Sequence, residues 1–149
     1  GMEYNAWGAF ANGPDHEPTL VYTRMLSGPM DFTPGVLSLE VPADWSESHL
    51  IAGEVGDYAI FARKDRNSAD WYVGGVNDAT ARTLTLRFDF LEPGRTYVAT
   101  IYKDGDGASY LTEARHSIAY DSIKVKKGDS YTLWLAPGGG AAMRLAAGK

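Results

Sequence analysis

Two glutamates near the start of the chain are the residue type that cleaves a glycosidic bond. Glu3 sits in Glu3-Tyr4-Asn5-Ala6-Trp7, and Glu17 in Pro14-Asp15-His16-Glu17-Pro18-Thr19. That reaction needs two carboxyl groups flanking the sugar, one protonated and one ionised. Aromatic neighbours suit sugar faces by stacking, and His16 between Asp15 and Glu17 could join a metal or acid/base cluster. The plainer reading is two exposed acids and a solvated polar turn. A second candidate set is aromatic. Trp45, Trp71, Tyr72 and Trp134 could form a sugar-stacking platform, or fill a core or an interface. Trp134 lies between Leu133 and Leu135, which pattern inward, so alternation along a strand turns it the other way.

Other chemistries are excluded or weak. The chain has no cysteine, which removes disulfides, thiol catalysis and Cys-ligated zinc. Asp104-Gly105-Asp106-Gly107 hints at a calcium loop, but Ala108 falls on the third ligand position and no glutamate follows at the required offset. It reads as a hairpin turn. Gly138-Gly139-Gly140 lacks the Lys-Ser/Thr and helix of a phosphate loop and reads as a bend between two late strands. His49 and His116 are isolated and read as surface or core-edge residues.

Length and charge bound the partners. A length of 149 residues predicts one domain, or one domain with a short extra segment. A complete (β/α)₈ barrel needs ~250 residues. The net charge is −5, with five acids and one base in residues 1–40, and 14 acids against 13 bases in residues 41–149. Without a Lys/Arg cluster the electrostatic footprint of a nucleic-acid binder is missing. No apolar run approaches the ~20 residues of a membrane-spanning helix. Met2 leads straight into Glu3-Tyr4-Asn5 without a basic leader, so no signal peptide is expected. The balance is compatible with a carbohydrate partner.

The elements that must position these residues change character near residue 40. Residues 1–40 are rich in Gly, Pro and Asn, with one helix candidate over 18–26, opened by Pro18 and stopped by Gly28-Pro29. From Val41 onward, short runs alternate with period two. In the clearest, 82–90, Leu84, Leu86, Phe88 and Phe90 share one face. Similar runs cover 58–63, 70–76, 96–103, 117–125, 131–135 and 141–145, separated by turn clusters such as Glu92-Pro93-Gly94 and Lys127-Gly128-Asp129. Short strands at ~10-residue spacing with no room for helical crossovers predict an all-β fold. The expected architecture is an antiparallel, Greek-key-like β-sandwich over residues 41–149, preceded by a short irregular or helical segment, 1–40.

Two sets of motifs resemble a known family. His16-Glu17-Pro18-Thr19-Leu20, followed by Thr23-Arg24-Met25-Leu26-Ser27-Gly28-Pro29-Met30-Asp31, resembles the late catalytic-barrel region of glycoside hydrolase family 97. Val41-Pro42-Ala43-Asp44-Trp45, Gly53-Glu54-Val55-Gly56-Asp57-Tyr58, Trp71-Tyr72-Val73-Gly74, Tyr102-Lys103-Asp104-Gly105 and Leu135-Ala136-Pro137-Gly138-Gly139-Gly140 resemble its C-terminal β-domain. The resemblance implies α-glucosidases and α-galactosidases of gut-type bacteria, often periplasmic, which hold calcium on active-site glutamates. It implies that Glu3 and Glu17 are such glutamates, as calcium ligands or acid/base groups.

The order of blocks departs from the family. Gly35 runs through Val36-Leu37-Ser38-Leu39-Glu40 directly into Val41-Pro42-Ala43-Asp44-Trp45, where relatives carry a further stretch of barrel. The expectation is therefore a remnant of the barrel joined to an accessory sandwich, with no turnover and no calcium of its own. Catalytic groups must be held on rigid elements to within a fraction of an ångström. The barrel-facing surface would be apolar, uncovered and available for homo-oligomer formation. The rival expectation is a free-standing carbohydrate-binding module using Trp71, Tyr72 or Trp134. A third is a chain that complements a separately encoded barrel fragment.

Overall fold

The computed structural model describes residues 9–11, 19–22, 37–38, 42 and 44–148. The chain divides into two compact units, 1–44 and 45–149. Within the first, β1 (Ala9–Ala11), β2 (Thr19–Tyr22) and β3 (Leu37–Ser38) form a three-stranded sheet with β2 in the middle. Phe10 pairs with Leu20, and Tyr22 with Leu37. The helix expected over 18–26 is therefore corrected: its first turn is strand. β-branched Thr19 and Val21 favour extended backbone, and partners on both sides take up the main-chain hydrogen bonds.

The second unit holds β4 (Trp45–Glu54), β5 (Tyr58–Asp65), β6 (Trp71–Asn77), β7 (Arg82–Arg87), β8 (Thr96–Asp104), β9 (Ile118–Lys126), β10 (Ser130–Leu135) and β11 (Gly140–Ala147). Six of them form one sheet in the order β4-β5-β6-β11-β8-β9, every neighbouring pair antiparallel. The other two, β10 and β7, form a ribbon. Strands β5 to β11 follow the period-two runs of the sequence. β4 had no such signal because register shifts between Trp45 and Glu47 and between Leu50 and Ala52 break its alternation.

Ribbon and sheet enclose the core. The sheet contributes Ile60 and Ala62 (β5), Trp71 and Val73 (β6), Tyr97, Ala99 and Ile101 (β8), Val125 (β9), and Met143 and Leu145 (β11). The ribbon contributes Leu86, Leu133 and Leu135, and the loop after β7 adds Phe88 and Leu91. The inward face anticipated for 82–90 is therefore correct, although the strand stops at Arg87. There the chain turns: Phe88 N–H donates to Asp129 O at 2.9 Å, and Leu91 N–H to Phe88 O at 3.3 Å.

The last strand is the central one. β11 enters between β6 and β8, placing Met143 opposite Val73 and Ile101, and Leu145 opposite Trp71 and Ala99. The approach to β6 is closest at the start of the strand. A Cβ on Gly140 would lie 2.5 Å from the Gly75 carbonyl oxygen, so only glycine fits there. Leu145 is fully buried between the two halves of the sheet. Leu145→Ala is expected to lower unfolding stability by about 2–5 kcal/mol, read as a fall in denaturant midpoint at unchanged slope.

Candidate functional site

The six-stranded sheet has a second face, turned away from the ribbon. Period-two alternation puts Phe61 and Arg63 of β5, Tyr72, Gly74 and Val76 of β6, and Val98, Thr100 and Tyr102 of β8 on it. The register aligns them into rows across the strands. One row runs Leu50, Phe61, Gly74, Ala142, Tyr102, Tyr120 and crosses all six strands without a charge. The Tyr102 and Tyr120 rings meet edge-on, with centroids 5.4 Å apart. The next row carries Ser48, Arg63, Tyr72, Arg144, Thr100 and Ser122. Here Trp45 packs edge-on against Tyr72 at 5.6 Å, the Arg63 guanidinium lies 5.8 Å from the Trp45 ring centre, and Arg144 donates to Asp70 Oδ2 at 3.0 Å.

Two polar clusters tie the unit together rather than face a ligand. At one end of the sandwich, Lys103 Nζ donates to Asp121 Oδ2 and to Tyr131 Oη, both at 2.7 Å, and Tyr131 Oη donates to Asp121 Oδ2 at 2.5 Å. This joins β8 and β9 of the sheet to β10 of the ribbon. The hydrogen bond to Asp121, then that to Tyr131, hold the Lys103 pKa above the ordinary lysine value. The hydrogen bonds from Lys103 and then from Tyr131 hold Asp121 below the ordinary carboxylate value. Burial, then the Asp121 contact, raises Tyr131. An amine kept protonated is a donor and not a nucleophile.

The second cluster fixes the glycine-rich bend. Asp104 Oδ2 accepts the Ala136 N–H at 2.8 Å and the Gly140 N–H at 3.0 Å. Burial raises the Asp104 pKa, and the two N–H bonds partly offset it. A Cβ at Gly139 would collide with this carboxylate, so the bend needs glycine. Asp104 is thus a clasp. The segment after it is no tight turn: Gly105 N–H bonds to Ser117 O at 3.0 Å, and the chain between them makes an excursion through a 3₁₀ turn, Glu113–His116.

The anticipated site residues fall in different places. Glu3 and Glu17, and His16 with them, lie outside the described residues. Trp71 is 1 % exposed and packs against Phe90 in the core, with ring centroids 4.9 Å apart. Tyr72, its neighbour in sequence, points to the opposite face of the same sheet. Trp134 is half-buried and faces away from the core between buried Leu133 and Leu135, as alternation requires. The three rings therefore share no face. His49 lies 3.1 Å from Glu47 and beside Trp71 at the core edge. Among the described residues no group of three or more His, Asp or Glu could hold a metal. A shallow depression of about 280 Å³ lined by Gly94, Arg95, Thr96 and Gly148 carries no acid.

The Lys103–Asp121–Tyr131 cluster has a pH signature with a fixed sign. Asp121, lowered, contributes stability above its unfolded-state pKa and loses it as pH falls through the folded value. Lys103, raised, contributes below its unfolded-state pKa and loses it as pH rises through the folded value. Thermal melts across pH should therefore show Asp121→Asn less stable than the parent around neutrality. The gap should close in acid below the ordinary carboxylate range. Because Asp121 is 40 % exposed, the neutral-pH difference should be about 1 kcal/mol or less.

Comparison with known proteins identifies the fold. Residues 44–146 match the family described as glycosyl-hydrolase 97 C-terminal, oligomerisation. A retaining α-galactosidase of Bacteroides thetaiotaomicron is 37 % identical over 106 residues, covering 71 % of this chain and 15 % of that protein. Solved structures of a family 97 enzyme from Pseudoalteromonas sp. strain K8, with panose and with acarbose, superpose with TM-score 0.71 at 39 % identity, over 74 % of this chain and 17 % of theirs. A β-arabinopyranosidase structure superposes at 0.53 with 27 % identity, over 70 % of this chain and 15 % of its own. The chain thus spans about a sixth of the length of these relatives, at the place of their accessory β-sandwich. It belongs to glycoside hydrolase family 97, through that family's C-terminal domain.

Proposed function

We propose that this chain is an assembly module of a family 97 glycosidase, without turnover of its own, which joins polypeptides into a homo-oligomer. The observation that carries this reading is the six-stranded sheet, which has a covering layer on one face only within the second unit. A sheet of that width with an apolar row on its other face is built to dock. The family's description as an oligomerisation domain points the same way.

The catalytic role passes to the barrel of an intact enzyme. Residues 1–40, in this reading, derive from the end of that barrel, and Glu3 and Glu17 are the groups that would face sugar and calcium when the barrel is complete. The described residues offer calcium no site, and no step is assigned to it. Carbohydrate, likewise, would meet the barrel rather than the sandwich. Two experiments test the reading. Incubation with nitrophenyl α-galactoside or α-glucoside should release no nitrophenol above the buffer rate. Release that Glu17→Gln abolishes would overturn the non-catalytic assignment. Sedimentation equilibrium should give a mass above the 16.2 kDa of one chain, rising with concentration. A single 16.2 kDa species at every concentration would overturn the assembly assignment.

A further inference from the structure

Nine large hydrophobic side chains are exposed among the described residues, and six of them stand on the outer face of the six-stranded sheet: Leu50, Phe61, Val76, Val98, Ile118 and Tyr120. Scattered exposed apolar residues are ordinary; two thirds of them on one face of one sheet are not. Resting on the assembly reading, we propose that this face is where a second copy of the chain docks, sheet face to sheet face, centred on the row Leu50–Phe61–Gly74–Ala142–Tyr102–Tyr120.

Three features choose the second copy and the mode. First, a two-fold contact sets a patch against itself, so a charge at its axis would meet its own copy. The central row has none, while Arg63, Arg144, Lys124 and Lys126 stand to one side of it. On the other side, the Asp104 carboxylate is taken up by the bend. Second, the area is sufficient. Six strands at ~4.8 Å spacing and seven residues at ~3.3 Å give a projected face of roughly 700 Å², near the ~800 Å² per partner of a stable complex. Third, growth through the sheet edges is guarded. Edge strand β4 carries two register shifts, and edge strand β9 presents Lys124 and Lys126. The centre of the row is also flat: a Cβ on Gly74 would meet nothing within 4 Å, and Ala142 lies opposite it. Phe61, 41 % exposed, and Tyr120, 59 % exposed, rise on either side.

The test uses the full chain. Phe61→Asp, folded by circular dichroism, should weaken self-association about 30-fold or more, the range of a central contact residue. Val55→Asp, on a loop off this face, should leave it unchanged. Should Phe61→Asp fail to fold, Leu50→Asp at the exposed edge gives the same reading. The cysteine-free background allows an independent measurement: a Gly74→Cys thiol should be protected from maleimide at concentrations where the chain associates, and react freely on dilution. Association that survives both aspartate variants, with the thiol equally reactive throughout, overturns the face and leaves the assembly reading standing. A monomer with a reactive thiol at every concentration overturns both. Protection of the thiol only when a separately produced barrel is added assigns the face to the barrel and overturns the second-copy proposal.

Discussion

The main-chain hydrogen bonding of β11 is the constraint on which the sandwich rests. Residues 58–77 and 96–126 each make antiparallel ladders of their own, but nothing in either ladder joins them. Gly140–Ala147 supplies the bonds to both, and its Met143 and Leu145 fill the interior between them. At its start the approach is close enough that the Gly75 carbonyl leaves no space for a Cβ on Gly140. The Asp104 clasp belongs to the same arrangement, since it fixes the bend that aims β11 into the gap.

Much of this was legible in residue order, and the failures have physical causes. Seven of the eight strands of the second unit follow period-two runs, because a half-buried strand writes its alternation into consecutive residues. β4 does not, because its register shifts let side chains change face without a change in spacing. At Thr19–Tyr22 the sequence reads as helix because Leu20, Val21, Met25 and Leu26 match a helical stripe, while the pairing that makes it strand comes from Phe10 and Leu37. Trp71 and Tyr72 cannot form one platform, because adjacent strand residues point to opposite faces, the same rule that turns Trp134 away from the core. The outer row was invisible for a different reason. Its members, from Leu50 to Tyr120, become neighbours only once five registers are set.

Four titratable groups of the sandwich are spent on architecture. Lys103, Asp121 and Tyr131 satisfy one another across the two layers, and Asp104 satisfies backbone donors. Each is engaged on several sides, and none is set opposite a second carboxyl in a cleft. Bond cleavage at a sugar needs the reverse, a pair of acids with unequal environments and space between them. A domain built this way serves an enzyme by holding shape and presenting surface.

The position of β11 also has a consequence for synthesis. Translation delivers strands from the N-terminal side, so both ladders leave the ribosome before the strand that unites them. Until residues 140–147 emerge from the exit tunnel, the nascent sandwich exposes Trp71 and Ile101 along an open seam, a target for holding chaperones. A chain cut short before Gly140 lacks the strand that pairs with both β6 and β8.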